Sequence, residues 1–177
     1  VIDGVAQKLV YRHPHVFGTV KVENSREVLV NWEALKRKEK SQSTTADAIE
    51  SVPHTLPALW RAEKISGKTA KAGFDWASAL SAMKKLEEEV RELRAALESG
   101  AAADGPHGVR EELGDLLFIT AKVAQMSGVD PEDALHRACD KFDGRFRRVE
   151  AMADKPLSGY TEAELVELWK SAKKEES

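Results

Sequence analysis

Apolar residues recur at intervals of three and four along most of the chain, and before Asp154 no segment alternates at the period of two that a half-buried strand requires. Ile2, Val5, Ala6, Leu9 and Val10 mark the end of one helix, which Pro14 and Gly18 close in a loop over residues 12–18. Asn24 or Ser25 caps a second helix with the stripe Val28, Leu29, Trp32 and Leu35, ending in the basic run 36–40, which suits a helix C-terminus. Ser41 to Pro53 is polar and reads as a mobile linker. A third helix begins near Leu56-Pro57, with Gly67 and Gly73 limiting it, and Phe74 and Trp76 stand before a long helix over roughly residues 75–98.

The loop 99–107 leads into a helix from about Val109 to Met126, stopped by Ser127-Gly128. Asp130-Pro131-Glu132-Asp133 opens the next one, to about Ala153: an N-cap aspartate, proline at the first position and acids in the first turn. Its stripe is Leu135, Ala138, Cys139, Phe142, Phe146 and Val149, edged by Lys141, Arg145 and Arg148. Thr161 caps a last helix carrying Leu165, Leu168 and Trp169, with Lys173 one turn further on. The fold class is all-α, a four-helix-bundle-like module with an N-terminal helical extension.

The acids break this pattern where it matters. With Leu113 as zero on a helix turning ~100° per residue, Leu116, Ile119, Val123 and Met126 fill an arc from roughly 220° to 300°. Glu112 and Asp115 fall in or beside that arc. Burying an unpaired carboxylate costs several kcal/mol or forces it to take a proton, so something cationic should meet them. On the preceding helix Leu86, Val90, Leu93 and Leu97 form a narrow seam, with Glu89 and Glu92 on one shoulder. A short connection favours antiparallel packing, which converges Glu89, Glu92, Glu112 and Asp115. Oxygen ligands without His or Cys suit Mg²⁺ or Mn²⁺. Glu87 and Glu88 read otherwise as a solvated charge run, and His13 and His15, flanking a proline, as structural or exposed.

Composition narrows the function. The 177 residues suffice for a real core. With 32% charged residues and a net charge of −3, no basic surface for nucleic acid is indicated. One cysteine, Cys139, excludes an internal disulfide, no apolar run is long enough for a membrane helix, and a cytoplasmic location is expected. The start at Val1 rather than Met suggests a fragment. Residues 6–13 also echo residues 139–146, aligning Lys8 with Lys141, Leu9 with Phe142 and Arg12 with Arg145.

Several motifs together carry a family resemblance. They are the run 12–18, Asn31-Trp32-Glu33, Leu56-Pro57-Ala58-Leu59 and Gly73-Phe74-Asp75-Trp76. Glu88-Glu89-x-x-Glu92, Glu111-Glu112-Leu113-Gly114-Asp115, Lys141-Phe142-x-x-Arg145-Phe146 and the Trp169 helix complete them. The chain resembles the C-terminal half of MazG nucleoside triphosphate pyrophosphohydrolases, with the tail of the N-terminal half: residues 1–22 as tail and connecting loop, 23–55 as helix and polar linker, 56–177 as the pyrophosphohydrolase module. The resemblance implies a homodimer that hydrolyses nucleoside triphosphates to the monophosphate and pyrophosphate with Mg²⁺, Mn²⁺ being an alternative. It places metal ligands on Glu89, Glu92, Glu112 and Asp115, with Glu88 and Glu111 joining them in catalysis. Substrate contacts fall on Lys85, Glu88, Glu111, Lys141, Phe142, Arg145 and Trp169, with Lys173 nearby. Gly108 and Gly144 stand where some relatives carry Lys and Arg. A narrower substrate, such as dUTP or phosphoribosyl-ATP, and a non-catalytic nucleotide-binding module are the alternatives.

Overall fold

The computed structural model describes residues 2–39, 43–100 and 102–174, apart from the side chain of Arg37. Residues 40–42 of the basic run and the polar segment therefore lie outside the described residues. Nine α-helices and one short 3₁₀ turn, Leu157–Gly159, make up the regular structure of the described residues, and strands are absent from them. The helices are α1 (Ile2–Arg12), α2 (Pro14–Phe17), α3 (Ser25–Glu39), α4 (Thr45–Glu50), α5 (Ala58–Lys71), α6 (Ala79–Ser99), α7 (Val109–Met126), α8 (Pro131–Met152) and α9 (Glu162–Lys174). None of the described helices is long and apolar enough to cross a membrane.

The chain divides into two compact units, Val1–Leu56 with Lys64–Trp76, and Pro57–Glu63 with Ala77–Ser177. In the first, α1 packs on α2 and α3. Arg12 donates to Glu39 at 2.7 Å and lies over the Trp32 ring, whose centroid is 5.8 Å away. Lys71 pairs with Glu33 at 2.5 Å, and that hydrogen bond holds the Glu33 carboxyl below the usual carboxylate range.

Three expectations are corrected in this part of the chain. The polar segment after α3 contains a helix, because Thr44 and Asp47 form a reciprocal capping box and Ala48 and Val52 find burial. Gly67 does not end α5, which continues to Lys71. Glycine inside a helix costs only about 1 kcal/mol, which packing overrides. Pro14 opens a single helical turn rather than a loop, since proline suits the first helical position.

In the second unit α6 and α7 form the principal pair, α8 packs on α9, and α7 on α8. Ser78 begins α6 with a capping box to Ser81, and Gly100, at φ 64°, closes it in the left-handed conformation that glycine adopts without strain. The α6 seam differs from the leucine stripe expected. Ala82, Glu89 and Ala96, seven residues apart, are the buried positions, while Val90 is exposed and Leu97 is 61% exposed. Small side chains bring α6 close to α7 and turn one edge of the leucine stripe outward. On α7 the expected arc holds: Ile119 is buried, and Leu116, Val123 and Met126 are half-buried. The α8 stripe stays largely open, with Leu135, Cys139, Phe142 and Phe146 exposed and Val149 buried.

Asp130 ties this unit together. Its carboxylate accepts from the backbone N–H groups of Glu132 and Asp133 at the start of α8, and from the Trp60 indole at 2.9 Å. Replacing it removes a cap worth about 1 kcal/mol and a hydrogen bond worth about 1 kcal/mol. We therefore expect Asp130→Ala to lower the unfolding free energy by about 2 kcal/mol, and Trp60→Phe by about half as much, read from urea midpoints at unchanged slope.

Candidate functional site

Glu89 and Glu112, on facing helices, are each only 5% exposed. With Asp115, one turn beyond Glu112, they present carboxylate oxygens within 4.8 Å of one another. The helices run antiparallel here. Glu89 meets the start of α7, and Ala96 and Ser99, further along α6, line a concavity with His107 and Glu112. Three of the four predicted ligands thus come together. Glu92, one turn from Glu89, lines the same concavity. The neighbouring Glu89 carboxyl is the main cause that raises the Glu92 carboxyl above its usual range; burial adds to it, while Lys85 opposes it.

The cation that buried carboxylates demand is partly supplied from within α6. Lys85 Nζ lies 2.5 Å from Glu88, 2.8 Å from Glu89 and 3.9 Å from Glu92. Glu88 first and Glu89 second raise the Lys85 pKa well above that of a free ammonium, and Lys85 in return holds the Glu88 carboxyl below its usual range. Glu112 is served differently. Among the described residues its ion-pair partner is the His107 imidazole, with Nδ1 at 3.5 Å.

The start of α7 explains one glycine. A Cβ at Gly108 would sit 2.5 Å from the Ala102 carbonyl oxygen and 2.7 Å from those of Ala103 and Gly105, so the loop is wound too tightly for any side chain. Glu111 reaches back to accept from the His107 backbone N–H at 2.8 Å, satisfying a donor just before the helix. A Cβ at Gly144 would meet nothing within 4 Å, so no crowding requires glycine there.

A second group forms on α8 and α9. The Phe142 and Trp169 rings lie 5.0 Å apart, and the Arg145 guanidinium lies over Trp169 at 4.9 Å. Arg148 Nε donates to the Ala172 carbonyl at 3.2 Å, holding the two helices together. Lys141 and Lys173 are exposed. Of the expected binding residues, Phe142, Arg145 and Trp169 are assembled into one cluster; Lys85 and Glu88 belong with the acids, and Glu111 caps α7.

Two polar residues escape a reading of periodicity. Lys122, only 2% exposed, donates to Gln125 at 3.0 Å, and Gln125 donates to the Glu63 carbonyl at 2.9 Å. Lys122 lies seven residues beyond Asp115, hence on nearly the same face of α7, but a lysine at the edge of an apolar arc usually points its ammonium to water. His107, in a turn after Pro106, gives no periodic signal; only its spacing from Glu111 and Glu112 marks it.

All-oxygen donors, two of them buried, fit a hard divalent cation, and so much buried negative charge with one nearby lysine leaves room for one. Residues 77–149, which hold all four carboxylates, match the profile of the MazG nucleotide pyrophosphohydrolase domain. The chain is 38% identical to a nucleoside triphosphate pyrophosphohydrolase of Escherichia coli K12 over 99% of its own length and 67% of that protein. It is 35% identical to the nucleoside triphosphate pyrophosphohydrolase/pyrophosphatase MazG of Thermotoga maritima, over 98% of this chain and 64% of the relative. It is also 39% identical to an uncharacterised Bacillus subtilis protein, YabN, covering 99% of this chain and 36% of that one. The chain, built on this carboxylate pair of helices, belongs to the MazG nucleotide pyrophosphohydrolase family.

Proposed function

We propose that this chain hydrolyses nucleoside triphosphates to the nucleoside monophosphate and pyrophosphate, with Mg²⁺ held by Glu89, Glu92, Glu112 and Asp115. The observation that carries this is the burial of Glu89 and Glu112 against each other across α6 and α7. Such a pair is costly unless a cation completes it. Mg²⁺ bound there would neutralise triphosphate oxygens and lower the pKa of attacking water.

The protein groups divide the remaining work. Lys85, held between Glu88 and Glu89, is the ammonium nearest the acids and would turn from them toward a phosphate oxygen. Glu88, kept ionised by that lysine, is a weak base and suits orienting a water by hydrogen bonding. Glu111 stands at the N-terminus of α7 as the other candidate for accepting the water's proton. Arg145 and Lys141 neutralise charge growing on the phosphates, and Trp169 with Phe142 offers a ring surface for the base.

The same reading assigns residues 1–22 and 23–55 to the tail of a preceding module and its linker, and 56–177 to the catalytic module. The Arg12–Trp32 contact supports it, since Arg145, which the sequence echo aligns with Arg12, likewise lies over a tryptophan, Trp169, of a later helix. A second copy of the chain is the partner we assign to the open apolar side chains Leu113 and Leu117 on α7 and Leu135 and Phe146 on α8.

Glu112→Gln and Asp115→Asn should each reduce Mg²⁺-dependent pyrophosphate release to background with unchanged helical circular dichroism; full activity in either removes the assignment. Trp169→Ala should raise KM about 10-fold, the effect of losing one stacked base, with a smaller change in kcat. A panel of triphosphates, following pyrophosphate against orthophosphate, separates a broad enzyme from one restricted to dUTP or phosphoribosyl-ATP. Leu117→Asp should convert a dimer to a monomer in light scattering, and a wild-type mass of one chain would refute the pairing.

A further inference from the structure

Glu112 faces two ligand groups at once. On one side are Glu89 and Asp115; on the other, His107 and Glu111 bring a ring nitrogen and a carboxylate oxygen within 4.8 Å of each other and of Glu112. We propose that His107, Glu111 and Glu112 form a second divalent-cation subsite, with Glu112 bridging it to the first and the imidazole selecting a borderline transition cation such as Mn²⁺, Co²⁺ or Zn²⁺ over Mg²⁺. It rests on the carboxylate site proposed above only through the shared Glu112.

Three observations meet here. The Glu112 carboxylate is more than nine-tenths buried, and among the described residues no lysine or arginine pairs with it. Among the described residues its ion-pair partner is the His107 imidazole, 3.5 Å away, a cation only when protonated. A metal ion in that gap satisfies both groups without requiring the imidazole to be charged.

The donor set differs in kind from the first site. Imidazole nitrogen with two carboxylates suits Mn²⁺, Co²⁺ or Zn²⁺, whereas Mg²⁺ prefers oxygen alone. The reach is right as well. Donors about 2.1 Å from one ion lie up to about 4.2 Å apart, so closure needs shifts of some tenths of an ångström. Two of the three side chains, on His107 and Glu111, are exposed, and the Glu111 oxygen that accepts from the His107 N–H leaves its other oxygen for an ion.

There is also space for an ion and its waters. A concavity of about 310 Å³ opens at this point, lined by His107 and Glu112 on one side and by Glu92, Ala95, Ala96 and Ser99 of α6 on the other. The backbone at His107, with φ 55°, lies in the left-handed region, and Asn shares histidine's tolerance for it. His107→Asn therefore removes the imidazole and leaves the turn.

The test uses the whole chain without nucleotide, with Mn²⁺ as the probe. Equilibrium binding counts the ions, and pulsed electron paramagnetic resonance detects nitrogen coupled to them. Wild type should show nitrogen coupling and bind one Mn²⁺ more than His107→Asn, which should lose the coupling. Glu89→Gln, which disables the first group, should keep the nitrogen-coupled ion. The subsite is refuted if wild type shows no nitrogen coupling, if His107→Asn matches wild type in coupling and stoichiometry, or if Glu89→Gln abolishes the coupling. The carboxylate site fails by a different result, full pyrophosphate release from Asp115→Asn, a residue of the first group alone, so the two readings fall separately.

Discussion

The second unit is organised around a burial that a helix pair would ordinarily avoid: two carboxylates, Glu89 and Glu112, facing one another inside the α6–α7 seam. Effective desolvation costs several kcal/mol for each ion, so the surrounding sequence is arranged to offset it. Ala82 and Ala96 sit one heptad either side of Glu89 and let the helices approach closely. Lys85, one turn before Glu89, contributes the charge that makes burial tolerable in the absence of any ligand. That lysine satisfies Glu88 and Glu89 at once. Glu112 has no such partner on its own helix.

This arrangement ties the rest of the unit together. Because the seam between α6 and α7 is given to small and acidic residues, much of the large apolar surface is displaced elsewhere. Val90 and Leu97 leave the α6 seam, and Leu113 and Leu117 leave that of α7. The α8 stripe is likewise uncovered, with Phe142 at 56% exposure and stacked on Phe146 at 6.1 Å between ring centroids. The site and the open apolar face are thus two consequences of one choice of which helix faces meet. The buried Lys122 belongs to the same economy of charge: it stays in the interior through Gln125, which in turn anchors to the Glu63 carbonyl at the end of the α5 segment in this unit.

The two arginine–tryptophan contacts connect this unit to the repeat in the sequence. Arg12 over Trp32 and Arg145 over Trp169 join, in each case, a helix bearing a Lys-x-x-x-Arg spacing to a following helix that carries tryptophan. The first of these is locked by Glu39, whereas Arg148 and the Ala172 carbonyl fasten the second. An arginine–tryptophan contact that recurs with its arginines aligned adds to the short sequence echo.

Helix existence and several boundaries were legible because their signals are local. Asp130-Pro131 starts α8, Gly128 follows the end of α7, and the Leu116, Ile119, Val123 and Met126 arc is the one that turns inward. The grouping of Glu89, Glu112 and Asp115 was legible too, since carboxylates on or beside an apolar arc are anomalous at the level of residue spacing. What only the tertiary structure decided was which neighbour each face receives. Periodicity gives the angle of a residue around its own helix, but not the partner that angle meets. Hence Glu89 moved from the shoulder of its seam to the centre, and the α8 stripe, clean in sequence, lies open to solvent in this chain. His107 has no helical angle at all; its place beside Glu112 follows from a turn wound around Gly108, where three carbonyls exclude a side chain.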